Sequence, residues 1–186
     1  DVRPVWDENT IVCMSLSKLG LPSLRTGIVI AQEEIIRIVS RMTSVFSLAP
    51  GGVGPGLALD LVSSGEITRI SREIIRPFYE SKVKRAVVQL QEEMSGVPFS
   101  IHKPEGALFL WLWFEDLPIT SRELYERLKE RGVLVVSGHY FFPGLDAPWK
   151  HKDECIRVTY AQDDKVVEKG LSIIAEEVKK SYSSQE

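Results

Sequence analysis

The sequence predicts an α/β chain, and three observations predict it. Two short, β-branched apolar runs at 10–16 and 27–31 flank a polar loop; an apolar helical period continues over 66–94; and beyond Ser95-Gly96 the pattern changes to short strands around one helix. These changes set boundaries at 1–64, 65–95 and 96–186. A content of 44% apolar and 26% charged residues suits a packed core. The longest apolar run, 107–114, is far shorter than the roughly 20 residues of a membrane-spanning helix. A net charge of -3 with both signs interspersed lacks the broad basic surface of a nucleic-acid binder. Neither a membrane nor a nucleic acid is expected as partner, and no signal peptide is visible.

Taken in order, 1–9, with Pro4 and Trp6, has no period and reads as a connection. The runs at 10–16 and 27–31 are continuous apolar strands of the kind buried on both faces of a mostly parallel sheet. Helix 32–46 places Ile35, Ile36, Ile38, Val39, Met42, Val45 and Phe46 mostly on one packing face, with Glu33 and Glu34 where the helix dipole favours them. The Gly/Pro run 49–56 ends that helix. It lacks the preceding strand and the Lys-Ser/Thr ending of a phosphate loop, so close backbone approach explains its glycines better.

The period over 66–94 describes one helix of about 43 Å at 1.5 Å per residue, bent at Pro77 and long enough to bridge two domains. Two helices joined at Arg76-Pro77 are the alternative. Strands at 99–103 and 107–114 pair across the turn Pro104-Glu105-Gly106, and a helix at 120–131 opens on Thr120, with Glu123 three residues on, and closes at Gly132. Strands 133–136 and 155–160 complete a small sheet. A last helix, 163–181, packs through Val166, Val167, Leu171, Ile174, Ala175 and Val178, and 183–186 frays. Cys13 and Cys155, each in a strand, read as two buried thiols of a reducing, cytoplasmic protein, with a disulfide left open. Trp111 and Trp113 share a strand face with Phe109 and read as packing. His102, His139 and His151 lack ligand spacing with the cysteines, and no metal is expected.

Chemistry concentrates in the loop between the first two strands, where Ser15, Ser17, Lys18, Arg25 and two glycines crowd together. Partial burial and a neighbouring cation both favour the neutral form of an amine, and a neutral amine attacks a carbonyl. Two hydroxyls on one side of an extended backbone, with the planar fork of Arg25, suit a phosphate. The combination points to a phosphate-bearing aldehyde cofactor. In the second half, Arg157 interrupts the apolar strand 155–160, and a cation there needs an anion. An internal carboxylate and a substrate carboxylate are both open.

The pattern Ser-x-Ser-Lys at 15–18, continued by Gly-x-Pro-x-x-Arg-x-Gly at 20–27, resembles the cofactor-lysine segment of the class I and II, fold-type I, pyridoxal-phosphate-dependent aminotransferases. The segments 47–56, 102–117 and 138–145 support the same resemblance. It implies the carboxyl half of such an enzyme: 1–64 from the large cofactor-binding domain at the end of its parallel sheet, 65–95 the interdomain helix, and 96–186 the small α+β domain. Lys18 is then the catalytic lysine, and Ser15, Ser17, Lys18 and Arg25 bind pyridoxal 5'-phosphate. Arg157, in Ile-Arg-Val-x-Tyr-Ala, binds the substrate α-carboxylate; His139 and Phe142, in the loop over the cleft, are candidates for recognising the substrate side chain. Ser137 stands where many relatives have proline. The implied reaction is ping-pong exchange between a small apolar amino acid, such as valine, and a 2-oxo acid, with pyruvate and alanine as partner pair. The resemblance also implies a homodimer, with the 49–56 loop bordering the partner's site. A chain holding half the cofactor grip is expected to be incomplete alone. A ligand-sensing domain of a transcription regulator is the competing reading.

Overall fold

The computed structural model describes residues 5–184, which divide into two compact units between Pro77 and Phe78. In the first, β1 (Val12–Ser15) and β2 (Gly27–Ile30) pair antiparallel, with Val12 opposite Ile30 and Ser15 opposite Gly27. The expectation of a parallel arrangement does not hold for this pair. The connection 16–26 turns straight back, whereas parallel neighbours need a crossover of about a dozen residues or more, usually through a helix. Met14, Val29 and Ile30 are exposed rather than covered on both faces, and Cys13 is exposed too, so only Cys155 is a buried thiol.

Helix α1 (Glu33–Ser47) begins with Glu33 and Glu34, and Glu33 bonds Arg37 one turn on. Its expected packing face is not buried: Ile38, Met42, Val45 and Phe46 are all exposed, and the described residues of this unit provide nothing that covers them. The Gly/Pro run does not simply interrupt helix. Helix α2 (Val53–Ser63) starts inside it, because Pro55 falls in a first turn, where an amide hydrogen is not required. Gly54 is there for proximity: a Cβ would lie 2.4 Å from both the Leu24 carbonyl oxygen and Thr26 Oγ1. Leu16, Ala58 and Ile67 form the small buried cluster of this unit.

Helix α3 (Glu66–Ile70) runs through a π-helical turn (Ser71–Ile75) into α4 (Arg76–Glu93), so the helical backbone is unbroken from 66 to 93. The π turn ends two residues before Pro77, where a widened turn accommodates the missing amide donor and the bulk of the ring. Gln89 Nε2 donates to Glu93 and to the Ser172 hydroxyl, tying α4 to the C-terminal helix within the second unit.

The second unit is an antiparallel sheet with helices on one face. Its strands β3 (Phe99–Ile101), β4 (Phe109–Phe114), β5 (Val136–Ser137) and β6 (Cys155–Thr159) lie in the order β3-β4-β6-β5. Alternation along β4 sends Leu110, Leu112 and Phe114 into a fully buried layer, where they join Leu90 of α4 and Met94 just beyond its end. Helix α5 (Ser121–Glu130) contributes Leu124 and Leu128 to that core, and α6 (Asp164–Ser183) contributes Leu171, Ile174, Ala175 and Val178. Val166, placed in this packing set by its period, is exposed instead, at the first turn of α6. The Thr120 side chain accepts from the Glu123 amide as the cap pattern predicts, and Gly132 follows at φ +78°. Strand β5 is only two residues long, not the four expected at 133–136, because Val133 N still bonds back to the Leu128 carbonyl in the helix C-terminus. The fraying expected at the end falls partly on 185–186, outside the described residues. No helix among the described residues is long and apolar enough to cross a membrane.

Candidate active site

The candidate residues fall into two groups, one in each unit. In the first, Leu16 is the anchor of the loop: its amide donates to the Thr26 carbonyl at 3.1 Å, while its side chain is buried against Ala58 and Ile67. The Ser15 hydroxyl accepts from Ser17 N at 3.3 Å and caps a 3-10 turn, Leu16–Lys18. The extended backbone therefore ends at Ser15, and the expected row of two hydroxyls on one strand is replaced by a cap followed by a turn. Pro22 then opens a second 3-10 turn, Pro22–Leu24, which delivers Arg25 at φ 49°, ψ 39°. A left-handed conformation at a non-glycine residue costs on the order of 1–2 kcal/mol, so the loop holds Arg25 against a local preference.

The strained arginine meets the turn. Arg25 Nη1 donates to Ser17 Oγ at 3.5 Å, joining a guanidinium and a hydroxyl beside Lys18. Among the described residues no carboxylate forms an ion pair with Arg25. Donors of this kind suit an anion such as a phosphate. Lys18 itself is exposed, which corrects the expectation of partial burial. A three-residue helical period that sends Leu16 inward turns Lys18 toward solvent.

In the second unit, Arg157 sits in β6 directly opposite Trp111 of β4, on the face away from the helices. No carboxylate among the described residues pairs with it, so the internal salt bridge left open by the sequence is absent from them. Two aromatic rings take its place. The guanidinium carbon lies 4.3 Å from the Phe109 ring centroid and 4.8 Å from that of Phe141, while buried Nε has no hydrogen-bond partner among the described residues. Each ring contributes about 0.5–2 kcal/mol, against several kcal/mol for withdrawing an ion from water. The balance leaves a cation that still favours an anion.

Phe141 belongs to a 3-10 turn, Gly138–Phe141, held from behind by a polar chain. Arg122 Nη2 is 3.2 Å from His139 Nε2, His139 Nδ1 is 2.7 Å from Ser137 Oγ, and Ser137 Oγ is 2.7 Å from Ser121 Oγ. Arginine only donates, so Nε2 accepts and Nδ1 carries the proton, which it donates to Ser137. Both serines are buried and satisfy one another, which explains a hydroxyl at 137. His139 thus links the loop to Arg122 of α5. Phe142 packs edge-on against Trp149 at 5.2 Å and Trp111 at 6.3 Å. The ring that reaches Arg157 is Phe141, one position earlier. The readable signal was the alternation Phe109, Trp111, Trp113, which becomes informative once β4 is known to pair with β6 and share the Arg157 face.

The His139 imidazole pKa lies below the usual value, because burial disfavours its charged form and the Arg122 and Lys152 cations add to that, with Asp153 opposing. A depressed folded-state pKa gives stability that is present above the unfolded value, near 6.5, and is lost as pH falls through the folded value. Melting temperatures of the wild type are therefore expected to fall more steeply than those of His139→Gln between about pH 7.5 and about pH 5. Equal slopes would remove His139 from the loop's support. Cys155, 3.5 Å from His151 Nε2, is no thiolate: burial pushes its pKa up to about 12. Among the described residues no group of three potential ligands gathers to hold a metal.

A model of the class I and II aminotransferases matches residues 4–174. The chain belongs to that family. It is 47% identical to valine–pyruvate aminotransferase of Escherichia coli K12 over 98% of its own length and 44% of the relative. The crystal structure of valine–pyruvate aminotransferase AvtA from Salmonella typhimurium LT2 superposes with a TM-score of 0.91 at 48% identity, over 98% of this chain and 47% of that one. A putative amino-acid aminotransferase from Psychrobacter arcticum 273-4 gives a TM-score of 0.94 at 46% identity, over 98% and 42%. The chain therefore has the α/β fold of these aminotransferases and spans less than half the length of each of these relatives.

Proposed function

We propose that this chain is the carboxyl part of a pyridoxal-phosphate-dependent aminotransferase that exchanges the amino group of valine, or a similar small apolar amino acid, with pyruvate and alanine. The observation that carries the reading is Arg157, a guanidinium drawn between two rings and given no carboxylate among the described residues. Kinship with proteins named for valine and pyruvate supports the choice of substrates. The ligand-sensing alternative finds no support in these relatives.

In this reading Ser15, Ser17 and Arg25 hold the cofactor phosphate, and Lys18 is its point of attachment. When bound, the cofactor supplies an electron sink for the substrate's α-carbon. Lys18 Nζ takes the α-proton and returns it, and an amine does so only when uncharged. Within this unit the turn exposes Lys18, so the burial that favours the uncharged amine comes from elsewhere in the full-length protein. Arg157 binds the carboxylate common to amino acid and 2-oxo acid, so one residue serves both half-reactions. The reading further takes 1–64 as part of the cofactor-binding domain, 65–95 as an interdomain helix and 96–186 as the small domain of a cytoplasmic homodimer.

The test is alanine formation from valine and pyruvate by the protein at the full length of its relatives. Arg157→Ala is expected to lower kcat/KM by about 100-fold for both substrates, the loss of a charge-assisted bidentate contact worth about 3 kcal/mol. Unchanged kcat/KM for either substrate would remove Arg157 from carboxylate binding. Absence of exchange in the full-length wild type would remove the substrate assignment.

A further inference from the structure

We propose that Phe109 and Phe141 are positioning residues for Arg157, together fixing its guanidinium so that one orientation meets the carboxylate of each substrate in turn. The proposal rests on the reading of Arg157 as the carboxylate-binding residue. An arginine held by an internal carboxylate would already be neutralised, and a substrate would compete with that partner. Rings attract the cation through their π faces and consume none of its N–H donors. The contact therefore holds the group in place and leaves its bidentate edge chemically available.

Each ring is placed by a different and rigid part of the unit. Phe109 stands on β4, whose ladder to β6 sets it opposite Thr159, two residues along from the Trp111 that faces Arg157. Phe141 is carried by the turn after β5 and packs edge-to-face on Trp111 at 5.0 Å. Behind it, Gly138 lies against the β6 backbone, and the Ser137–His139–Arg122 chain holds the turn to α5. The rings therefore do not depend on the cation for their own positions. Ordering an arginine side chain is entropically costly, on the order of 2 kcal/mol, and pre-ordering removes that cost from each substrate-binding event.

Two readouts test the proposal. In the chain itself, the Arg157 Nε–Hε resonance is expected to be displaced by ring currents in the wild type and to move toward the ordinary arginine position in Phe141→Leu and Phe109→Leu. In the full-length protein, each leucine variant is expected to raise KM for valine and for pyruvate roughly 10-fold with kcat little changed, and Phe141→Tyr to restore both. A change confined to kcat, or to one substrate, overturns the positioning role. If Arg157→Ala raises both KM values while both leucine variants leave them alone, the rings are packing only and the Arg157 reading survives. If Arg157→Ala also leaves them alone, that reading has failed and the proposal falls with it. Should Phe141→Leu lower the melting temperature enough to obscure the assay, Phe109→Leu makes the same test from the strand.

Discussion

Replacing Lys18 with alanine is expected to abolish amino-group exchange in the full-length protein while leaving the fold untouched. Turnover falls by about ten-thousand-fold, the upper end of what one positioned base contributes. The fold survives because Lys18 is the exposed residue of its turn, and the neighbouring Leu16 carries the burial. Lys18→Arg separates charge from proton transfer. It keeps a cation in the loop, but a guanidinium does not deprotonate at working pH and is expected to be as inactive as alanine. The visible absorption that develops when pyridoxal phosphate is added to the wild type is expected to be lost in both variants. Exchange above about a tenth of the wild-type rate in Lys18→Ala would exclude this lysine as the base.

Gly138→Ala is expected to be the most damaging single-methyl change near Arg157. A Cβ at 138 would stand 2.6 Å from the Cys155 carbonyl oxygen, 2.7 Å from that of Lys152 and 2.8 Å from Cys155 Cβ. Two of these atoms are main chain, and Cys155 begins the central strand β6, so no flexible side chain can swing aside. Overpacking of this kind costs about 3 kcal/mol, near the upper end of the usual range. Denaturant unfolding of the chain measures that loss. The variant is also expected to raise KM for both substrates, because displacing the 138–141 turn moves Phe141 from Arg157. A variant as stable as wild type would mean that the turn adjusts freely and that Phe141 is not held from behind.

The antiparallel pairing of β1 with β2 shows what periodicity leaves undecided. Continuous apolar runs such as 10–16 and 27–31 declare two strands but carry no direction, and the short return through 16–26 fixes it. The same runs, and the apolar face of α1, promised burial that the described residues do not provide: Phe46 is 80% exposed and Val45 77%. Hydrophobic patterning records that a face is to be covered, not which stretch of chain covers it. At the Lys18 loop, the order of residue types was legible and the conformation was not. The Ser15 cap and the 3-10 turn depend on hydrogen bonds that spacing does not reveal, and they turn Lys18 outward where strand geometry suggested partial burial.

By itself the sequence determined the α/β class, the helical run through Pro77, the Thr120 cap, and the antiparallel partners β3 and β4, and it marked Ser15, Ser17, Lys18, Arg25 and Arg157 as candidates. These follow from local chemistry: period, capping, proline geometry and charge in apolar surroundings. Only the tertiary structure decided that Arg25 leans on Ser17, that Arg157 lies between Phe109 and Phe141, and that His139 braces a loop. Each of those contacts joins residues whose meeting depends on strand register or turn conformation, and side chains distant in sequence have no local signal that announces it.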